Sequence, residues 1–439
     1  MPSVNRRTLL GAMCLPGSVL SARAQKRPPE KMSFLDNGLI RIGIDLNLGG
    51  VITHLSSPKH GNVVNSHDYG RQIQQSYYSG PAPFGQPHPA WKDWPWNPIG
   101  TGDVYGNPAR VLEHRNDGRT LYVKSVPMQW ALNNVPGDCT FETWISLFRN
   151  TARVRCRLNN QRNDRTQYPA RHQELPAVYT IGKLYRLFTY DGTAPFTGAP
   201  VRQIQNAGPP WTAWKATEHW AALVNDDDWG LGVFHAGAYD FVGGFHGPPN
   251  TGGPLDNSTG YIAPLRNEIL DHNIVYTYEY VLILGTVNEI RRYAVSRRPR
   301  DTRPDYRFRT DRQHWYYVNA EDTGFPPRNG LQVKLEQEDP QMIGPEQWWQ
   351  AKDVPVLYLR AAFHTSQDRA EIFWSVPGQG FAPERSLSFQ IRPDGRFHTY
   401  TIELASSPAY TGTISGLRLD PVPAGRKGDY VQVASLSWR

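Results

Sequence analysis

The chain has 439 residues, 39% of them hydrophobic, and a formal net charge of +7. This length is enough for two or three domains whose cores need neither a metal ion nor a disulfide. The basic residues are scattered, and much of the densest run, Arg291 to Arg312, has the composition of a linker. The charge therefore does not indicate a nucleic-acid partner.

The first 24 residues have the pattern of an export signal. Arg6 and Arg7 precede a short apolar segment, and residues 22–24 form a small-x-small cleavage site. A twin arginine of this kind is typical of the Tat pathway. No later segment approaches the roughly 18 to 20 apolar residues of a membrane span. We therefore expect a periplasmic or secreted protein that starts near Gln25 and has no membrane partner.

The segment from Asn65 to Asp103 mixes aromatic side chains with Arg, Gln, Asn and Asp, and Gly and Pro interrupt it repeatedly. Aromatic rings stack on the apolar face of a sugar, and the polar side chains bind its hydroxyls. Loops of this length are usually functional or disordered, and the aromatic content argues against disorder. We therefore expect a carbohydrate-binding surface, although each single Trp could instead be a core residue and Arg71 could pair with Asp68. The expected binding residues are Asp68, Arg71, Gln75, Tyr77, Tyr78, Trp91, Trp94, Trp96 and Asp103, with Tyr261 and Tyr276 as outer candidates.

Short alternating apolar runs bounded by turn residues recur along the chain, and helix signals are almost absent. Residues 33–298 are expected to form an all-β domain with a hairpin from Thr140 to Asn160 and one short helix, Val287 to Ser296. Residues 299–313 are polar and rich in Pro, as linkers are. Six short strands at regular spacing predict a second domain, a β jelly roll, over residues 314–439.

The sequence predicts no cofactor. The motifs HExxH, paired CxxC, GxSxG, the P-loop and GxGxxG after a strand do not occur, so zinc proteases, serine hydrolases and nucleotide enzymes have no support. Asp226, Asp227 and Asp228 leave a structural calcium ion possible, although such runs are more common at a solvated hairpin tip. Cys139 and Cys156 are expected on adjacent strands, where a disulfide is possible.

The first domain opens with DNGLIRIGIDLNLGGVITHLSSP and later contains the hairpin EHWAALVNDDDWGLGVF. Both segments resemble the galactose-mutarotase-like β-sandwich superfamily of aldose epimerases, many glycoside hydrolases and polysaccharide lyases. The second domain contains AEIFWS, FQIRPDGRFHTYTIEL and GTISGLRLDPVPAGRKGDYVQVASLSW, which resemble carbohydrate-binding-like jelly-roll modules. The resemblance implies a mutarotase-like β-supersandwich followed by a jelly roll.

Acid/base chemistry on sugars needs two positioned groups, usually carboxylates, of which one is protonated and one ionised. His172 and Glu174 are two residues apart, so they share one face of an extended segment. Glu218 and His219 directly precede the apolar run WAALV, where adjacent residues face opposite sides unless a bulge intervenes. We expect Glu174 and Glu218 to form the acid and base pair, with His172 assisting.

These features together predict an exported carbohydrate-active enzyme, in the first place a glycoside hydrolase. The alternative enzyme is a polysaccharide lyase or aldose epimerase, in which His172, His219 or a tyrosine removes a proton. A non-catalytic glycan-binding protein would keep the aromatic surface without a carboxyl group of raised pKa. The predicted sandwich hosts all three classes, so the fold does not choose among them.

Overall fold

The computed structural model describes residues 28–205 and 208–439, so the predicted export signal lies outside the described residues. No helix in this described part is long and apolar enough to cross a membrane. The chain divides into two compact units, both built from antiparallel strands, and the predicted all-β class is confirmed. Of the described residues, the first unit comprises those up to Gln161, Gln173–Arg266 and Val275–Arg298; the second comprises Arg162–His172, Asn267–Ile274 and Pro299–Arg439.

The strands of the first unit are short, and most are bounded by Gly, Pro, Asn or Asp. They are β1 (Met32–Asp36), β2 (Arg41–Asp45), β3 (Val51–Ser56), β4 (Ile73–Ser76), β5 (Pro98–Ile99), β6 (Arg110–Asn116), β7 (Thr120–Val126), β8 (Met128–Gln129), β9 (Cys139–Phe148), β10 (Thr151–Asn160), β11 (Arg171–Ile181), β12 (Arg186–Thr189), β13 (Arg202–Ile204), β14 (Thr212–Lys215), β15 (Trp220–Val224), β16 (Trp229–Phe234), β17 (Asp240–His246), β18 (Thr259–Glu268) and β19 (Val275–Thr286), with a 3-10 turn at Pro89–Trp91.

Two sheets form this unit. One has the order β1-β2-β3-β4-β11-β18-β17-β14, with β5 and β8 attached beside β4, and the other has the order β13-β12-β15-β16-β19-β10-β9-β7-β6. Their inner faces meet, because Gln75 on β4 donates hydrogen bonds to the Glu142 carbonyl at 3.1 Å and the Thr143 hydroxyl at 2.9 Å, both on β9. Tyr77 packs edge-on against Phe141 at 5.2 Å. The unit is therefore a sandwich, and each sheet keeps an outer face.

Two local predictions for this unit are confirmed. The hairpin of β9 and β10 turns after Phe148, which pairs with Thr151. Helix α1 covers Val287–Ser296, as the sequence predicts, and a capping box starts it. The Thr286 hydroxyl accepts the Glu289 N–H at 3.3 Å, and the Glu289 carboxylate accepts the Thr286 N–H at 2.8 Å.

Cys139 and Cys156 do not form a disulfide. The strand register pairs Cys139 with Asn160 and Cys156 with Thr143. The two cysteines are therefore four positions apart along the hairpin, which is about 13 Å at the usual rise of a strand. A disulfide needs Cα atoms within about 7 Å.

The second unit is also built from short strands. They are β20 (Asp305–Arg307), β21 (Tyr316–Val318), β22 (Glu321–Asp322), β23 (Leu331–Lys334), β24 (Gln341–Ile343), β25 (Trp349–Gln350), β26 (Leu357–His364), β27 (Arg369–Ser375), β28 (Ser386–Gln390), β29 (His398–Ile402), β30 (Thr413–Ile414), β31 (Gly416–Asp420) and β32 (Tyr430–Ser437), with 3-10 turns at Ala351–Asp353, Pro383–Arg385 and Leu404–Ser406. β20 lies inside the segment predicted as a linker.

The strands of the second unit form two main sheets around one core. The orders are β22-β23-β32-β26-β29, with β20 beside β32, and β21-β24-β31-β27-β28, while β25 pairs with β30 alone. Leu359 and Val433 from the first of these sheets share a buried cluster with Ile372 and Leu419 from the second. This is the sandwich of short strands that the regular spacing predicts for a jelly roll.

A buried ion network joins the three segments of the second unit. Arg312 binds Asp271 at 2.6 Å and Asp322 through two hydrogen bonds of 2.6 Å. Gln167 donates to the same two carboxylates at 3.0 and 2.7 Å. The two short segments that come from within the first part of the chain are therefore fixed to the main body of this unit.

Candidate functional site

Glu174 lies on β11, between β4 and β18 in the ten-stranded sheet. Tyr261 on β18 donates a hydrogen bond to its Oε1, and Tyr78, just after β4, donates one to its Oε2 at 3.2 Å. Burial raises the pKa of the Glu174 carboxyl above its ordinary value, while these hydroxyls act in the opposite direction. A carboxyl group in this balance can hold a proton at a higher pH than usual and can also release it.

A β-bulge in β11 decides which side chains share the face of Glu174. The register pairs Glu174 with Ser76 and Ala177 with Gln74, so three steps along β11 match two steps along β4. Strict alternation would place residues 176 and 178 on the face of Glu174. The bulge instead places residues 177 and 179 there, which brings Tyr179 to the same side of the sheet as the carboxyl group.

Aromatic rings adjoin the carboxyl group on the β18 side. Tyr179 stacks on Tyr261, with ring centroids 4.6 Å apart and 28° between the planes. Trp211 contacts the same tyrosine at 5.1 Å. Tyr179 and Trp211 are half-buried, so part of each ring remains open to a ligand.

A second series of rings continues from the β4 side. Tyr78 meets Trp94 at 6.0 Å, Trp94 contacts Trp91 at 4.8 Å, and Trp91 contacts Trp130 at 5.8 Å. All four side chains are half-buried. We call the whole arrangement the Glu174 site; it consists of Glu174 and the rings of Tyr78, Trp91, Trp94, Trp130, Tyr179, Trp211 and Tyr261.

Three of these rings, those of Trp130, Tyr179 and Trp211, are not among the residues that the sequence singles out. Pro176 within β11 is a signal that could have located Tyr179, because proline inside a central strand marks a bulge. Trp211 and Trp130 stand in irregular segments next to strand ends, and no sequence signal distinguishes them from core residues.

Asp68 and Arg71 lie at one end of this face, where they pair with each other. The Arg71 Nε is 3.1 Å from the Asp68 carboxylate, and the other guanidinium nitrogens donate to the Asn257 carbonyl and side chain at 2.7 and 2.6 Å. The Tyr179 N–H donates to the carbonyl of Gln72, the neighbour of Arg71, at 2.9 Å, which places this ion pair near the rings. The arginine therefore joins two loops beside the site, which is the structural alternative that the sequence left open.

Six of the predicted binding residues are interior, namely Gln75, Tyr77, Trp96, Asp103, Tyr261 and Tyr276. Tyr77 donates to Gln75 at 2.8 Å and meets Tyr276 edge-on at 6.2 Å. Asp103 accepts hydrogen bonds from the backbone N–H groups of residues 105, 107 and 134. Because these side chains are enclosed, the structure gives them a supporting role and not the ligand contacts that the sequence predicts.

Glu218 is fully buried and lies next to β15, in the other sheet. Arg291 from α1 donates to both of its oxygens at 2.9 Å, the Trp220 indole donates at 3.1 Å, and the Phe196 N–H at 2.8 Å. Burial alone would raise the pKa of Glu218, but these hydrogen bonds hold it below its ordinary value. The structure does not bring Glu218 together with Glu174, so the predicted acid and base pair is wrong. Glu174 is the carboxyl group at the site, and Glu218 belongs to an ion pair with Arg291.

The two predicted histidines lie in different sheets, since His219 directly precedes β15 and His172 is on β11, two residues before Glu174. His219 is buried with φ at +65°, and its Nδ1 accepts the Gly237 N–H at 3.4 Å. Burial lowers the pKa of His219 to about 4, so the ring is neutral at physiological pH. His172 precedes the bulge of β11, so by the alternation of the strand it shares the face of Glu174, as the sequence predicts.

Asp226, Asp227 and Asp228 form the tip of the hairpin between β15 and β16. Tyr185 donates to Asp226, and Arg186 pairs with Asp228 at 2.6 Å. Within residues 28–205 and 208–439, no group of three His, Cys, Asp or Glu side chains is arranged to hold a metal ion.

No protein-family model and no curated protein sequence matches this chain. Solved structures do match. A galactose mutarotase related enzyme from Lactobacillus acidophilus is 10% identical, with 58% of this chain and 97% of that chain covered at a TM-score of 0.37. A galactose mutarotase-like protein from Lactobacillus casei is 12% identical, with 58% and 100% covered at 0.36. The GH36 alpha-galactosidase from Geobacillus stearothermophilus is 11% identical, with 58% and 41% covered at 0.34. These proteins are of the kind that the sequence resemblance named, and no specific family is identified.

Proposed function

We propose that the first unit is a carbohydrate-active enzyme that transfers a proton to or from a sugar through Glu174. The observation that carries this proposal is a carboxyl group of raised pKa, held by two tyrosine hydroxyls, at the centre of a row of aromatic rings of which all but Tyr261 are half-buried. The rings suit the apolar face of a sugar, and the carboxyl and phenol groups suit its oxygens. Proton transfer also suits the carboxyl group itself, because burial favours its protonated form and the hydroxyls favour its ionised form.

The partners of Glu174 favour a reaction that uses one carboxyl group. Hydrolysis by paired carboxylates needs a second carboxylate about 5 to 10 Å away. Glu218, predicted for that role, is ion-paired with Arg291 of α1, and Asp68, the carboxylate near the rings, is ion-paired with Arg71. We therefore favour proton transfer at a sugar oxygen or carbon, as in exchange of anomers or β-elimination, over hydrolysis. The pattern of residues 1–24 supports the further proposal that this reaction takes place outside the cytoplasm.

The test compares three reactions in the full chain. Exchange of anomers is followed by NMR on reducing sugars, β-elimination by ultraviolet absorbance on polyuronates, and hydrolysis by release of reducing ends from neutral polysaccharides. In whichever reaction the wild type catalyses, Glu174→Gln should lower the rate by roughly 10² to 10⁴, the range for a lost general acid or base. Tyr261→Phe should lower it less, because the carboxyl group remains.

The matched control is Asp226→Asn. Asp226 also accepts a hydrogen bond from a tyrosine, Tyr185, but at an exposed hairpin tip. This variant should keep the wild-type rate. Full activity in Glu174→Gln would reject Glu174 as the acid/base group, and binding of sugars with no turnover in the wild type would favour the non-catalytic alternative.

A further inference from the structure

A second aromatic surface lies on the outer face of the nine-stranded sheet. Four residues, one on each of the neighbouring strands β6, β7, β9 and β10, form a row across this face. In strand order they are Arg115, Tyr122, Trp144 and Arg155, and each is directly opposite the next. The sequence neighbours of this row on β7, β9 and β10 are buried, namely Leu121, Ile145 and Val154. Because successive side chains of a strand point to opposite faces, the row itself faces away from the core. At the usual spacing of strands it spans about 15 Å. We call these four residues the Arg–aromatic row.

The two rings of this row lie side by side between the two arginines. The ring centroids of Tyr122 and Trp144 are 5.2 Å apart, with 39° between the planes. The Arg115 guanidinium is 5.5 Å from the tyrosine ring, and the Arg155 guanidinium is 5.3 Å from the tryptophan ring. The groove beside the rings has a volume of ≈ 490 Å³, within the usual range of ligand sites. It is lined by Arg115, Asn116, Asp117, Thr120, Tyr122 and Trp144, so it lies at the Arg115 end of the row, and Arg155 stands outside it beside Trp144.

One guanidinium in this row has no carboxylate among the described contacts. Arg155 is exposed and touches the Trp144 ring. The residue opposite Arg155 on β19 is Glu279, but Glu279 pairs with Arg153 at 2.6 Å. An unpaired arginine beside an indole ring is complementary to a ligand that combines an apolar ring face with an anionic group.

We propose that the Arg–aromatic row binds an acidic polysaccharide, with a sugar ring on Trp144 and its carboxylate or sulfate on Arg155. The choice of a saccharide rests on the proposed function of the first unit. The row lies on the outer face of one sheet, and Glu174 belongs to the other sheet. A binding site away from the reacting group assists turnover when it tethers a chain, because a tethered chain stays at high effective concentration. The row therefore points to a polymeric substrate.

The experiment measures binding of the full chain to polygalacturonate, dextran sulfate and neutral dextran at low and at physiological salt. Trp144→Ala should weaken binding to the acidic polymers about tenfold, the loss of one stacked ring. Arg155→Gln should weaken it by a similar factor and reduce its dependence on salt. Arg155 is exposed, so this variant keeps the test decisive if Trp144→Ala is unstable.

Two matched controls come from the same sheet. Phe148 is 64% exposed at the end of β9 and has Arg149 over its ring at 5.4 Å, outside the row. Arg202 is exposed on β13, at the other edge of the sheet, and is ion-paired with Asp191 at 2.9 Å. Phe148→Ala and Arg202→Gln should bind as the wild type does.

The comparison of polymers identifies the anionic group, since tighter binding of polygalacturonate indicates a carboxylate and tighter binding of dextran sulfate indicates a sulfate. Binding that is unchanged in both Trp144→Ala and Arg155→Gln would overturn the proposal, as would equal binding of neutral dextran. Tighter binding of single-stranded DNA, lost in the same two variants, would assign the row to nucleic acid instead. Glu174→Gln should bind the acidic polymers normally, so this site and the proposed function can fail separately.

Discussion

Replacing Glu218 with glutamine should destabilise the first unit and leave the Glu174 site intact. The two oxygens of Glu218 accept four hydrogen bonds, two of them from the Arg291 guanidinium. Glutamine keeps one acceptor oxygen. Its NH2 group takes the place of the other oxygen and cannot accept the hydrogen bonds that the neighbouring N–H groups donate there. Breaking one partner of a buried pair typically costs about 3 to 5 kcal/mol. The Arg291 side chain is 14% exposed, so water can partly replace the hydrogen bonds that it loses. We therefore expect the free energy of unfolding to fall by about 3 kcal/mol.

Urea unfolding at pH 7 measures this loss, and thermal unfolding should show a fall of about 6 to 12 °C for a unit of this size. Arg291→Gln and the double variant complete a cycle, in which the second substitution should cost much less than the first. The folded-state pKa of Glu218 lies below its ordinary value of 4.5. The contribution of Glu218 to the free energy of unfolding is therefore complete above pH 4.5 and is lost as the pH falls through the folded-state pKa. The difference between wild type and Glu218→Gln should shrink accordingly in acid.

Glu174→Gln is the counterpart, because burial raises the pKa of Glu174. The folded protein binds this proton more tightly than the unfolded chain, so the contribution of Glu174 is complete below its ordinary pKa of 4.5 and is lost as the pH rises through the raised value. Relative to the wild type, Glu174→Gln should therefore gain stability as the pH rises.

The prediction for Glu218 is contradicted by one combined outcome. A Glu218→Gln variant that unfolds within about 1 kcal/mol of the wild type and loses turnover more than a hundredfold would refute it.

Four further predictions concern single side chains. His219, with its pKa lowered to about 4 by burial, should show no NMR titration between about pH 5 and 8, and its contribution to stability should be lost as the pH falls from 6.5 toward 4. Arg312→Met should lower the free energy of unfolding of the second unit by about 3 to 5 kcal/mol in urea, because two carboxylates stay buried without their partner. Trp96→Ala should cost about 3 to 5 kcal/mol by the same measurement, whereas Trp94→Ala should weaken sugar binding more than stability. Burial raises the pKa of the Cys156 thiol to about 12, so a thiol reagent should label it only after unfolding.

The strands and the helix follow from local signals, which is why the sequence predicts them well. The hairpin of β9 and β10 combines alternating apolar residues with a turn at Arg149, whose φ is positive. Helix α1 starts at a capping box formed by residues only three apart, Thr286 and Glu289. Each of these signals is complete within a few residues.

The site is predicted only in part, because its geometry depends on register and on distant residues. Tyr77 and Tyr78 are neighbours of the same type, but one points into the sandwich and the other toward Glu174, and only the pairing of β4 decides which. The sequence offers both Glu174 and Glu218 as members of an acid and base pair. Its partner Arg291 follows 73 residues later, on a helix whose buried face the sequence does not fix.

The kind of partner explains why one buried glutamate suits proton transfer and the other does not. Arg291 is a permanent cation, so it keeps Glu218 ionised over the physiological range and makes that carboxylate a fixed part of the structure. A tyrosine hydroxyl is neutral and can both donate and accept a hydrogen bond, so Tyr78 and Tyr261 can stay bonded to Glu174 whether or not it carries the proton. Tyr261→Phe should then raise the pKa of Glu174 further, because a donor to the ionised form is lost while burial remains. A pH–rate profile of this variant should shift to higher pH, and an unchanged profile would show that the hydroxyl does not tune the carboxyl group.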